Sequence, residues 1–296
     1  MIKALITIYN PGENISENII QIAKQTDFLY ICDNSLNSHE DMFLGKDFSG
    51  KLCYVYFGKN LGLSGAFNRI LKSKEYNFSD EDYIFFFDQD TFISDGHIEN
   101  MINEYEALEK DGIDIGNIGP TFFNTSNNVI ETPRLKKDIT EDTWEVNGII
   151  TSSMLCKYKN LKEVGFWNER VFLDMADWEL SWRLMAKKHK CLMTKKVVFR
   201  HSIGIGEKKV GPLHLRVGHT YREYYQMREC IYLLFKKYTP FIYRVRFLAM
   251  IFIRSPLHLI FLKDRKKRIK FIFKGLGDYF RKVTGPIDPE FLNKNK

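Results

Sequence analysis

Four short runs of strand-forming residues, at 4–9, 28–32, 52–57 and 83–87, each break off at polar residues. The first, ALITIY, is apolar almost throughout, the pattern of a parallel strand covered on both faces. Asn10-Pro11-Gly12 stops it, and Ile15, Ile19, Ile22 and Ala23 then recur at helical spacing. After the third run, NLGLSGAFNRIL reads as a loop that becomes a helix near Ser64. Strands alternating with helices dictate an α/β protein with a doubly wound sheet, whose ligands collect at the carboxyl ends of the strands. Polar residues stand at those ends: Tyr9 and Asn10, Asp33, Asn60, and Asp88 with Asp90.

The 296 residues are 44% hydrophobic, with 24 Phe and 15 Tyr, enough for one large core or a core with an appendage. That excludes a disordered chain, a collagen-like repeat and a small disulfide scaffold. The cysteines Cys32, Cys53, Cys156, Cys191 and Cys230 form no Cys-x-x-Cys pair and sit mostly in apolar runs, which fits a reduced, cytoplasmic setting. MIKALITIYNP reads as a strand entering a turn, not as a signal peptide.

Further strands are expected at 144–150 and 196–199, and a helix at 178–188. On that helix Trp178, Trp182 and Met185 share a face, and Glu179 and Arg183 pair at i,i+4. The net charge of +7 is unevenly spread. Residues 216–282 hold 17 Lys and Arg against 4 Asp and Glu, and the rest of the chain is mildly acidic. Beyond 216 the pattern is helical and basic.

The strongest chemical signal is Asp88-Gln89-Asp90. Three phenylalanines carry the chain through the sheet, and two carboxylates emerge two residues apart at its end. Both can reach one hard divalent cation, Mg²⁺ or Mn²⁺, whose shell substrate phosphates complete; the alternative is a solvated turn or a cap for the next helix. Asp177 reads either as a general base or as a helix N-cap, with Asp174 a competitor for the base role. His201 reads as a third metal ligand or as a structural hydrogen-bonding group, and His214 and His219 are weaker candidates of the same kind. Asp33 offers an acceptor to the N3–H of uracil or thymine, and Tyr9 a stacking ring. Gly62 and Gly65 permit close backbone approach to a ligand.

In this order, ALITIYNP, CDNS, NLGLSGAFNRI, FFFDQDT, VNGIITSSML, GFWNERVFLDMADWELSWRL, FRHSIG and YYQMREC resemble the motifs of family 2 glycosyltransferases with the GT-A fold. Within the family the chain is most similar to bacterial rhamnosyltransferases and galactofuranosyltransferases of cell-surface polysaccharide synthesis. The resemblance implies that Asp88 and Asp90 hold Mn²⁺ or Mg²⁺ against the donor diphosphate, with His201 an additional ligand. It places Asp33 on the nucleotide base, Thr7, Tyr9, Asn60 and Gly65 around the nucleotide, and Arg228 with the donor. Asp177 aligns with the catalytic base, and Asp174, Trp178, Glu179 and Arg183 fall on the acceptor side.

Two positions depart from the family's pattern. Ala176 replaces the first acid of the paired-acid motif, and Glu229 stands where many relatives have Asn. The implied reaction is an inverting transfer of L-rhamnose from dTDP-rhamnose onto a lipid-linked glycan. The competing reading is galactofuranose or another hexose from a UDP-sugar, and a different class is a non-catalytic nucleotide-sugar-binding or assembly protein.

The sequence divides into a GT-A domain over 1–212 and a helical, basic region over 213–296. The longest uncharged runs of that region are 247–253 and 255–262, well short of the ~20 residues a spanning helix needs. Phe, Leu and Ile mixed with Lys and Arg fit helices lying on an anionic membrane surface, so a peripheral location at the inner face of the cell membrane is expected. Packing on the catalytic domain, or between two copies as a homodimer, is the alternative. Residues 263–270 are dense in charge, but nothing upstream resembles a recognition module, so no nucleic acid is expected.

Overall fold

The computed structural model describes residues 1–13, 15–46, 48, 51–124, 128–201, 206–210 and 213–295, with the side chains of 201–217 excepted. The chain forms two compact units, Met1–Asn168 with Ala176–Ser202, and Glu169–Met175 with Ile203–Lys296. The boundary expected at 212 falls between the two strands of a hairpin in the second unit.

The first unit runs β1 (Ile2–Ile8), α1 (Ile15–Lys24), β2 (Phe28–Asp33), β3 (Leu52–Tyr56), α2 (Gly62–Leu71), β4 (Tyr83–Asp88) and α3 (His97–Lys110). There follow β5 (Ile115–Asn124), β6 (Val129–Glu131), β7 (Lys136–Asp138), β8 (Thr143–Val146), β9 (Met154–Lys157), α4 (Tyr158–Glu163), α5 (Ala176–Ala186) and β10 (Lys190–His201). The ten strands form one mixed sheet in the order β3-β2-β1-β4-β9-β5-β10-β8-β7, with β6 on β5. The first four are parallel, β9 runs antiparallel to β4, and β5 and β10 are parallel again.

Alternation along β4 explains why this half reads as unbroken apolar sequence. Phe85 and Phe87 join the cluster that holds Ile19 and Ile22 of α1 and Met101 and Tyr105 of α3. Phe86 points the other way, with ring centroids 4.8 Å from Phe67 of α2 and 5.0 Å from Trp167. Each such aromatic or branched side chain contributes about 1.5–3 kcal/mol on burial.

The order 3-2-1-4 reverses direction at β1, so the crevice outside the carboxyl ends of β1 and β4 is the switch point of the sheet. Register places Thr7 beside Asp88, and Ile8 beside Asp33, at that edge.

In β5, IGNIGPTFFN looks like loop sequence because of its glycines and proline, yet it is a central strand. A Cβ on Gly119 would lie 2.3 Å from Ile149 Cγ2, and one on Gly116 2.8 Å from His189 Cβ. Close packing demands those glycines.

The second unit begins with an antiparallel hairpin, β11 (Gly206–Val210) and β12 (Leu213–Val217). Then come α6 (Arg222–Leu234), α7 (Phe241–Ala249), α8 (Ser255–Phe261), α9 (Arg265–Phe280) and α10 (Pro289–Lys294), with a π turn at Met250–Arg254. Helix α9 meets α6 at Gly275, where a Cβ would stand 2.4 Å from the Tyr224 carbonyl oxygen. Tyr224, Tyr225, Phe271, Phe172 and Ile287 form the core of this unit. Part of its basic charge is internal: buried Glu223 binds Arg268 Nη1 at 2.8 Å and His258 Nδ1 at 2.7 Å.

Candidate active site

Each parallel strand delivers one polar group to the switch point, and side-chain bonds lock the strand ends together. The Gln89 side chain accepts from the Tyr9 N–H at 2.8 Å, and Ser35 Oγ accepts from the Asn10 N–H at 2.8 Å. Asn34 Oδ1 accepts from the Leu61 N–H at 3.0 Å, and Asn60 Oδ1 from the Gly62 N–H at 2.8 Å. These bonds fix the ends of β1, β2 and β4 against the start of α2. Asn34, Ser35 and Gln89 carry this framework and lie within the CDNS and FFFDQDT motifs, although only their aspartates stand out in the sequence. Tyr9 keeps 47% of its surface exposed, free to stack on a planar ligand.

Asp88 ends β4 half-buried, and its Oδ2 accepts from Ser152 Oγ at 2.8 Å. Asp90 is exposed in the turn that follows. An antiparallel bridge between Phe92 and Arg200 brings that turn to the end of β10, beside the backbone of His201. The side chain of His201, like that of His214, lies outside the described residues. Among the described residues no group of three or more His, Cys, Asp and Glu is placed to hold a metal. Two hard oxygen donors at one strand end do fit Mg²⁺ or Mn²⁺, which commonly takes one or two carboxylates and finds its remaining ligands in water and phosphate.

Asp177 comes from the other side of the sheet. Helix α5 begins at Ala176, two residues before the expected start, so Asp177 is in the first turn and is not an N-cap. Its carboxyl accepts from the Trp178 N–H at 2.8 Å, and the Thr151 backbone also favours its ionised form. Burial pushes it up to about 7; these backbone groups oppose the shift, and the charge of Asp88 adds to it. A carboxyl at that value is tuned for proton transfer near neutral pH. Thr151 and Ser152 lie in the VNGIITSSML segment, where hydroxyl residues ahead of an apolar run were the available signal.

Several expected contacts are reassigned. Glu179 is fully buried, its oxygens bonded to Asn168 Nδ2 and Arg183 Nε, both at 2.8 Å. Glu179 and Arg183 therefore brace α5 as the expected i,i+4 pair and offer the acceptor little surface. Gly65 is inside α2, where a Cβ would approach Leu61 Cβ to 3.0 Å, so helix packing accounts for it. The Trp178 ring packs over Gly148, whose added Cβ would lie 3.0 Å from it.

Asp33 is fully enclosed. Burial alone would raise its carboxyl, but bonds from Ser35, Tyr54 and His39 outweigh that and hold it below the usual carboxylate range. In the second unit, Asp174 accepts from Gln226 Nε2 at 3.1 Å and lies 3.4 Å from Arg222 Nη2. Arg228 also belongs to that unit, on α6, with Nη1 donating to Tyr224 Oη at 3.1 Å and to the Gly285 carbonyl at 2.9 Å.

A doubly wound parallel half, a mixed second half and carboxylates at their junction make this a GT-A-type fold. Residues 4–165 match glycosyl transferase family 2, more than half of the chain, and the protein belongs to that family. It is a glycosyltransferase. Over 298 aligned residues it is 23% identical to the dTDP-rhamnosyl transferase RfbF of Shigella flexneri, covering 96% of this chain and 97% of that protein.

Among solved structures, S. aureus TarS superposes with a TM-score of 0.58 at 14% identity, over 95% of this chain. This chain spans about half of TarS, 49% of its length. GalNAc-T7, solved with UDP, GalNAc and Mn²⁺, superposes with a TM-score of 0.54 at 11% identity, over 87% of this chain and 57% of that one.

Proposed function

We propose that the protein transfers L-rhamnose from dTDP-rhamnose to a glycan carried on a membrane lipid, with inversion at the anomeric carbon. The observation that carries the chemistry is a pair of carboxyls: Asp88 at the end of β4, accepting from Ser152 Oγ at 2.8 Å, and Asp177 at the head of α5, raised by burial and by the charge of Asp88. The donor assignment is supported by the near full-length similarity to RfbF.

In this reading the base of the nucleotide stacks on Tyr9 and its N3–H meets Asp33, displacing His39, whose Nδ1 lies 3.1 Å from Asp33 Oδ2. Thr7 and Asn60 line the nucleotide. Asp88 and Asp90, with His201, would hold Mn²⁺ or Mg²⁺, which as a Lewis acid stabilises the departing diphosphate. Asp177 takes the proton of the acceptor hydroxyl. That oxygen attacks the anomeric carbon as the bond to the diphosphate breaks on the opposite face. Trp178, at the head of the same helix, forms the wall next to the base.

A membrane-surface location is supported by the second unit. Phe241, Phe252, Ile253 and Phe273 are between 60% and 78% exposed on helices rich in Lys and Arg. Among the described residues no helix is long and apolar enough to cross a membrane.

The test is transfer of labelled rhamnose from dTDP-rhamnose to the lipid fraction of bacterial membranes, with UDP-galactofuranose in parallel. Label in the lipid fraction from dTDP-rhamnose supports the assignment. Label only from the UDP-sugar overturns the donor, and label from neither overturns the function.

A further inference from the structure

We propose that a cavity in the second unit, between α6 and the end of α9, binds the diphosphate headgroup of a lipid. This deepens the lipid-linked acceptor reading and rests on it. The cavity has a volume of about 560 Å³, within the usual range of roughly 300–1,000 Å³ for small-molecule sites. Four cationic side chains line it, Arg170, Arg228, Lys236 and Lys282, and no Asp or Glu does.

The cations are gathered by sequence spacing. Arg228, Tyr232, Phe235 and Lys236 fall at i, i+4, i+7 and i+8, one face of α6 and its final turn. Arg170 and Lys236 both stand over the Tyr232 ring, at 5.3 and 4.2 Å from its centroid. Arg228 is 3% exposed, and through the Gly285 carbonyl it ties down the loop that presents Lys282. Its Nε is buried with no hydrogen-bond partner.

Lys236 and Lys282 each follow a helix C-terminus, where a cation is favourable without any ligand. That does not account for two arginines collected with them around an open volume. Glu229 Oε1, 3.3 Å from Arg228 Nη2, offsets one of these charges in part, and a multivalent oxyanion in the cavity meets the rest while accepting charge-assisted hydrogen bonds. Four cations suit a diphosphate better than the single charge of a phosphodiester. Phe235 and Phe280, also on the cavity wall, are 71% and 72% exposed, which provides a surface for a hydrocarbon chain beside the charged group.

The experiment titrates the full-length protein, in excess chelator, with farnesyl diphosphate, inorganic pyrophosphate and farnesol. Farnesyl diphosphate should bind about tenfold or more tightly than pyrophosphate, and farnesol should not bind. Lys236→Gln/Lys282→Gln should weaken farnesyl diphosphate by about tenfold or more, with the circular dichroism spectrum and Mn²⁺-dependent dTDP binding unchanged. Arg170→Gln, as a separate variant, should weaken it in the same direction.

Wild-type affinity in these variants overturns the site, and equal affinity for pyrophosphate overturns a lipid as its source. Displacement of the probe by phosphatidylglycerol vesicles replaces the diphosphate with an ordinary anionic lipid. A wild-type protein that transfers sugar to lipid but does not bind farnesyl diphosphate refutes the cavity alone. Binding without any transfer supports the cavity and refutes the acceptor reading.

Discussion

Asp88 and Asp177 act on each other: Ser152 Oγ donates to Asp88 Oδ2 at 2.8 Å, and the charge of Asp88 adds to burial in raising the Asp177 carboxyl. The turn before β9 fixes the first carboxylate at the end of β4, and the Trp178 N–H holds the second at the head of α5. In the proposed reaction the first faces a cation and diphosphate, the second an acceptor hydroxyl. Asp177→Asn should keep metal-dependent donor binding and lower transfer by about 10²–10⁴-fold, the usual contribution of a general base. Turnover near the wild-type rate would move the base elsewhere.

The raised Asp177 value sets the pH dependence. A base works when deprotonated, so kcat/KM should rise with pH and level off above the Asp177 value, which is about 7. A cation bound at Asp88 and Asp90 offsets only the smaller contribution of the Asp88 charge, so burial, the larger cause, keeps the midpoint well above the ordinary 3.8. A pH–rate profile is the check. A profile that is flat or falling from about pH 5 to 8 contradicts the assignment.

Asp90 is exposed in its turn, so Asp90→Ala should leave thermal stability within roughly 0.5 kcal/mol of wild type. Mn²⁺-dependent binding of dTDP should weaken strongly. Because a hard cation at such a site completes its shell with phosphate oxygens, Mn²⁺ alone should bind weakly to wild type and tightly only with the nucleotide. Calorimetry with each partner alone and both together separates these cases.

Most of the nucleotide side was legible in the sequence, because parallel strands buried on both faces leave continuous apolar runs. Residues such as Asp33 and Asp88 end those runs visibly. What escaped was written in ambiguous residues. Gly116, Gly119 and Pro120 disguise β5, and β9 has only four residues. Ser152 looks like ordinary loop, and only its bond to Asp88 reveals its place. The partial burial of Asp177 and the full burial of Glu179, two residues apart, depend on how α5 is rotated against the sheet. Periodicity set the spacing of that helix, while Asn168, Arg183 and Asn147 set its seating through hydrogen bonds.

Glu229 departs from the family's common Asn, and its environment predicts a stability effect. Its Oε1 accepts from the Phe172 N–H at 2.9 Å, tying 169–175 to α6, and Oε2 is buried without a partner. Burial pushes this carboxyl up to about 7 despite the neighbouring Arg228. A folded value above the unfolded one favours the native state at low pH, and that contribution is lost as pH rises through 7. Glu229→Gln keeps the acceptor for Phe172 and removes the charge, so its Tm should exceed wild type above pH 7 and converge with it in mild acid. Thermal melts across that range decide the point, and a lower Tm above pH 7 would mean that the Arg228 pairing outweighs burial.

The central claim is a cation-dependent dTDP-sugar site at the carboxyl ends of β1 and β4. Calorimetric titration with dTDP-rhamnose, in Mn²⁺ and again in chelator, tests it most directly. The account predicts saturable binding in Mn²⁺, lost in chelator and lost in Asp88→Ala. Binding of equal strength in chelator, or no binding in either, would contradict it.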